Sequence, residues 1–135
     1  ARAQNIPARL GFADVRNHLT TDKLKALMKT DVFAFHGYTQ FYLGGKWVKA
    51  TPAFNRSLCD AAEISPLEFD GMSDAVFHEY DPAGRQHMEY LNDHGCYSDF
   101  PYEKMIQVWQ KHYPHFSKEL FNCLSGDFET DVGNL

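Results

Sequence analysis

Gly44-Gly45 separates two runs of alternating residues, FHGYTQFYL and KWVKAT, and this stretch restricts the fold more tightly than any other. Two adjacent glycines supply the positive φ angles of a type I′ or II′ turn, so the runs close as a two-residue β-hairpin. The turn then sets the register. Leu43 faces Lys46, Phe41 faces Val48, Gln40 faces Lys49 and Tyr38 faces Thr51. Side chains alternate along a strand, so His36, Tyr38, Gln40 and Tyr42 share a face with Trp47, Lys49 and Thr51. Phe41, Leu43, Val48 and Ala50 share the other face, which is aliphatic and reads as core. The histidine's face is aromatic and polar, which suits the wall of a cleft. Thr51 lies diagonally beside His36, about 7–8 Å away between Cα atoms, so a side chain there reaches the imidazole.

Short elements surround that ribbon. ARAQ reads as a last helical turn closed by Asn5 in a left-handed conformation, and Pro7 then leads into a strand over 8–15. Thr20 or Thr21 caps a helix over 22–29 whose apolar face is Leu24, Leu27 and Met28. Asn55 caps a second helix ending at Ala62, and Ser65-Pro66 separates it from a strand-like PLEFDG. AVFHEY-DPAG-RQHMEYL reads as a second hairpin, with Pro82 and Gly84 at favoured turn positions. The clearest helix spans 101–113, with Tyr102, Met105, Ile106, Trp109 and Tyr113 on one stripe and Pro114 as its stop. The tail from Phe116 is expected to add a turn or two and to fray after Gly126. With 135 residues and 44% apolar content the chain has material for one core, so 1–135 reads as a single domain without repeats or linkers. The fold class expected is α+β: an antiparallel sheet carrying 8–15, 36–43 and 46–51, with flanking helices.

Charge and cysteine usage narrow the function. A net charge of −5, from 18 acidic and 13 basic residues with no Lys/Arg cluster, gives no footprint for nucleic acid or an anionic membrane. No apolar run approaches a membrane span, and the first residues do not form a signal peptide. Cys59, Cys96 and Cys123 are odd in number and lack a CxxC, which fits free thiols in a reducing, cytoplasmic setting.

The ordered motifs IPARLGFADV, HGYTQFYL and GGKWVKATPAFN resemble the transglutaminase-like superfamily. Members of that superfamily carry a G-I-P-A-R strand, an H-[AG]-[WY]-x-[EQ]-[VIF] strand and a return strand ending W-V-x-x-D-P. The match covers about residues 5–55, and the downstream residues look like those of its bacterial cysteine protease members. The resemblance implies a papain-like fold in which a helix cysteine attacks an amide carbonyl, the histidine carries the proton and an aspartate holds the histidine. His36 falls on the family's histidine. Thr51 occupies the aspartate position, and a hydroxyl accepts from the ring N–H but does not stabilise an imidazolium as a carboxylate does. Asn55 is the alternative neutral orienter, while Tyr38, Gln40 and Trp47 are the candidate substrate-binding residues. The family's cysteine lies on the helix before the IPAR strand, so the chain reads as the histidine-bearing C-terminal part of such a domain, inactive alone. The implied substrate is a peptide or protein amide and no cofactor is required. Copies of the chain are expected to associate over the face that the nucleophile helix would cover.

Blander readings stand beside these. A strand histidine is commonly structural, Tyr38 packs, Gln40 faces solvent or the cleft, and Trp47 anchors the ribbon against Tyr42. Cys59 near a helix start is a conceivable nucleophile but reads as buried packing. A four-residue loop at 81–84 would set His78 opposite His87, with Asp93 and His94 following, a weak signature for a metal site. Loss of the aspartate also suits a non-catalytic module that only binds a peptide or protein.

Overall fold

The computed structural model describes residues 1–51 and 54–116, so the expectations for the tail and Cys123 lie outside the described residues. β1 (Ala8–Asn17), β2 (Val32–Leu43), β3 (Lys46–Ala50) and β4 (Met88–Tyr97) form one sheet in the order β3-β2-β1-β4, with every neighbouring pair antiparallel. The helices are α1 (Asp22–Met28), α2 (Arg56–Ala62) and α3 (Tyr102–His112). This is an α+β architecture. Among the described residues no helix is long and apolar enough to cross a membrane.

Local chemistry sets the element ends. Gly44 and Gly45 take φ of 55° and 83°, and the ribbon pairs Phe41 with Val48 and Gln40 with Lys49, the register expected from the turn. Thr21 accepts from the Leu24 N–H at the start of α1, and Asn55 accepts from Leu58 at the start of α2. Asn5 adopts the left-handed conformation after a 3₁₀ turn at Arg2–Gln4. In α1, Leu24 and Met28 are half-buried while Leu27 stays exposed, so its apolar face is only partly used.

Two expectations fail in the middle of the chain. PLEFDG is not a strand; Asp70 accepts from the Met72 and Ser73 N–H groups and folds the segment into a bend instead. Residues 75–80 form no strand either, making only isolated bridges of Ala75 to Ala50 and Tyr80 to Gln86. The loop there is one residue longer than expected, because Asp81 Oδ1 and Oδ2 accept from Arg85 N–H and Nε–H and draw Arg85 into it. The returning half instead runs on to Tyr97 as β4 and pairs with β1.

The sheet separates two apolar layers. On one side Phe12 and Phe35 pack with Met105, Ile106, Val108 and Trp109 of α3. On the other, Ala13, Val15 and Tyr38 pack with Phe77, Met88, Phe54 and Leu67. Gly11 permits this second layer, since a Cβ there would lie 2.2 Å from the Tyr38 ring.

Candidate functional site

The register counted from the turn decides where His36 points, and a bulge just beyond it in β2 decides what shares its face. Ala13 pairs with His36 and Val15 with Phe33, so two steps along β1 match three along β2. An unbulged strand would send Phe33 and His36 to opposite faces. The extra residue puts both on the face of Ala13 and Val15, where they line one pocket of about 280 Å³ with Val15, Leu24, Phe54 and Phe77. Phe35 takes φ 59° to make the bulge, a left-handed conformation that costs a bulky residue roughly 1–2 kcal/mol.

Three side chains, from β1, from α3 and from the residue that closes α3, secure the bulged backbone. The Tyr113 hydroxyl accepts from Ala34 N–H at 2.6 Å and donates to Val32 C=O at 3.0 Å. Trp109 Nε1–H donates to Ala34 C=O at 2.9 Å, and Asp14 Oδ1 accepts from Phe35 N–H at 2.9 Å. Burial raises the Tyr113 pKa, so the phenol stays protonated and keeps the proton that it donates.

His36 itself has a different environment. Its ring stacks on Phe77 at 5.2 Å between centroids and 20° between planes. Phe77 reaches that position because Ala75 N–H donates to Lys49 C=O and Thr51 N–H to Ala75 C=O, which lays residues 74–77 along the end of the ribbon. His36 Nε2 is buried with no protein hydrogen-bond partner, and burial lowers the pKa of the ring. Thr51 Oγ1 is likewise buried and unbonded; it lies near enough to the Tyr90 phenol to favour that group's ionised form without hydrogen-bond geometry. The imidazole is therefore neutral near pH 7 and retains its proton-accepting capacity.

The other predicted residues divide. The paired register of the ribbon ends at Thr39↔Ala50, one residue short of Thr51, whose N–H bonds Ala75 C=O and whose hydroxyl makes no bond to His36. The Asn55 side-chain oxygen Oδ1 accepts from Leu58 N–H and the Ser57 hydroxyl, both at 2.9 Å, so its capping role displaces the orienting one. Tyr38 and Gln40 are interior groups. The Gln40 amide oxygen accepts from Arg9 Nε–H at 2.6 Å and from the Cys96 thiol, whose sulfur lies 4.0 Å from the Tyr38 hydroxyl. The expectation that Gln40 faces solvent or a cleft is thus corrected, because Arg9 opposite it needs an acceptor. Trp47 remains at the surface with Tyr42 beside it and the Arg9 guanidinium 4.1 Å over its ring. Cys59 is buried in α2, which fits the packing role expected of it.

Among the described residues no group of three or more His, Cys, Asp or Glu is arranged to hold a metal ion, so the weak rival signature of His78, His87 and His94 forms no such centre there. His87 is buried and its pKa lowered, chiefly by that burial, while Asp81 opposes the shift. His94 bonds to Asp14, a pairing that the sequence reading missed. Two signals pointed to it: an aspartate inside the apolar run GFADV, and a glycine following His94 within a strand. No protein family, curated protein or solved structure gives a significant match to the chain.

Proposed function

We propose that the chain is the histidine-bearing part of a transglutaminase-like thiol enzyme of papain-like fold, acting on peptide or protein amides. The reading rests on His36. A neutral imidazole with an unbonded, enclosed Nε2, held on the wall of an apolar pocket, is a base awaiting a partner. Buried polar atoms left unbonded cost stability, and such a cost is expected where a group is reserved for chemistry. The unbonded Thr51 hydroxyl at the family's aspartate position supports the same reading.

In this scheme the nucleophile is a cysteine outside the 135 residues, on a helix that packs over the His36 face. The imidazole takes the thiol proton, the thiolate adds to the amide carbonyl, and the imidazolium returns the proton to the departing amine. Water or a second amine then releases the acyl group through the same histidine. Thr51 orients the ring once the site is assembled, and Trp47 offers an exposed surface to the substrate.

The test compares thiol-dependent hydrolysis of amide and ester substrates by the 135-residue chain and by a longer chain that includes the preceding residues. The longer chain should be active, and His36→Ala in it should lose on the order of 10²–10⁴-fold. The 135-residue chain should be inactive with or without Cys59→Ala. Activity that disappears with Cys59 would transfer the nucleophile to that residue, and an inactive longer chain that still binds peptide would favour the non-catalytic module.

A further inference from the structure

Lys49 and Asp93 reach one pocket from the two outer strands of the sheet and do not pair with each other. The pocket, of about 220 Å³, has Ala13 and Tyr38 as its floor. Val76 closes one side, because residues 74–77 are laid along the end of the ribbon, and Tyr90 of β4 closes another. Asp93 faces inward because His94 is the extra residue of β4: Phe12 pairs with Gly95 and Ala13 with Asp93, so Asp93 shares the face of Ala13. Each charge is held in place. Lys49 Nζ lies 5.0 Å over the Tyr38 ring, a cation–π contact, and Asp93 Oδ1 accepts from Gly95 N–H at 2.7 Å, which leaves Oδ2 open. Among the described residues neither charge has an ion-pair partner. Burial raises the Tyr38 pKa and its neighbours Cys96 and Asp93 add to the rise, so the floor stays a neutral phenol and the pocket carries one charge of each sign.

We propose that this pocket binds a small zwitterion of the amino-acid class, with its ammonium on Asp93 and its carboxylate on Lys49. Charge complementarity selects that class. An anion drawn to Lys49 meets Asp93, and a cation drawn to Asp93 meets Lys49, so like charge on the other side rejects each single ion. A molecule that carries both signs satisfies both groups at once, through charge-assisted hydrogen bonds. Direct closure of Lys49 on Asp93 competes weakly, since ion pairs open to solvent contribute little. A cavity of about 150 Å³ holds a molecule the size of benzene, so this pocket has room for alanine or a slightly longer molecule. Ala13 and Val76 give a short aliphatic body its apolar contact. The site is separate from the pocket that His36 lines, so its occupancy is independent of any role of that imidazole.

The experiment is an NMR titration of the 135-residue chain with L-alanine, γ-aminobutyrate, acetate and ethylammonium at constant ionic strength, repeated in Lys49→Met and Asp93→Asn. K49M keeps an apolar stem over the Tyr38 ring, and D93N keeps an acceptor for Gly95 N–H. In the parent, at least one zwitterion should shift the Asp93 and Gly95 amides and the Ala13 methyl saturably, with a midpoint on the order of 1 mM. The better of the two reports the spacing of the charges. Acetate and ethylammonium should bind roughly tenfold more weakly or worse. Each variant should weaken zwitterion binding roughly tenfold or more, and each should gain affinity for one single ion: ethylammonium in K49M, acetate in D93N. Failure of both zwitterions to give saturable shifts, zwitterion binding unchanged in both variants, or acetate matching the better zwitterion in the parent would overturn the proposal. Should D93N disturb the irregularity of β4, K49M decides by the same readouts.

Discussion

His36 and His94 belong to one sheet, lie on opposite faces of it, and differ in almost every physical respect. His94 donates through Nε2 to a buried carboxylate that also holds a backbone N–H, so that ring nitrogen and both carboxylate oxygens have partners. His36 has a phenylalanine face beneath it and an Nε2 that bonds nothing in the protein. Both are enclosed, so burial alone does not tell a structural histidine from a functional one. Hydrogen-bond satisfaction does: the saturated group supports the fold, and the unsaturated one is held ready at a cost in stability.

The sharpest way to break this contrast is to remove the partner of the satisfied histidine. Asp14→Ala leaves a buried imidazole and a strained backbone N–H without an acceptor, and should lower stability by about 3–5 kcal/mol in urea unfolding. A loss below 1 kcal/mol would show that His94 was never dependent on the pair. Next in size is Tyr113→Phe, which strips the bulge of a hydroxyl serving both Ala34 N–H and Val32 C=O. Its cost should be about 1–3 kcal/mol by the same measurement. His36→Phe should have a smaller effect of opposite sign, neutral to about 1 kcal/mol stabilising, because it replaces an unsatisfied polar ring with an apolar one against Phe77. Clear destabilisation by that substitution would make His36 structural and erase the distinction.

The gentlest test uses pH. His36 has a folded pKa below its unfolded value, so the unfolded chain binds the proton first and stability declines as pH falls through 6.5 toward the folded pKa. His87, also lowered, contributes in the same window. For Asp14, burial works to raise the pKa, but the hydrogen bond from His94, together with the Phe35 N–H, the His94 charge and Asn92, holds it below 3.8. Its stabilisation is therefore present above 3.8 and lost as pH falls through the lower folded value. Unfolding followed against pH should show a decline in each window, and H36F should diminish only the upper one.

The turn, the caps and the ribbon register could be read before the fold was in view, whereas the His94–Asp14 pair could not, and the reason lies in how local the signals were. Gly44-Gly45, Thr21, Asn55 and Asn5 each act within a few residues, and each determines its own turn or cap. The ribbon register and the side of His36 within it follow from the turn. What resisted reading was the bulge, because a phenylalanine at positive φ has no sequence signature and is held by residues 21, 74 and 78 positions away. The same holds for β4, whose pairing with β1 is long-range, and for 64–81, where aspartate side chains capture backbone N–H groups that a strand would have used.

Residues 74–75, described above for the way they bring Phe77 to His36, also bear on self-recognition. A sheet invites copies of itself wherever a continuous row of backbone donors and acceptors is left open at an outer strand. On β3 that row is occupied at Lys49 and Thr51: Asp74 accepts from Lys49 N–H, and Ala75 exchanges hydrogen bonds with Lys49 and Thr51. On β4 it is broken by the irregularities at His94 and Leu91, and the Gly95 N–H turns to Asp93 of its own strand. Neither outer strand therefore offers an unbroken row onto which a second molecule's strand could be laid.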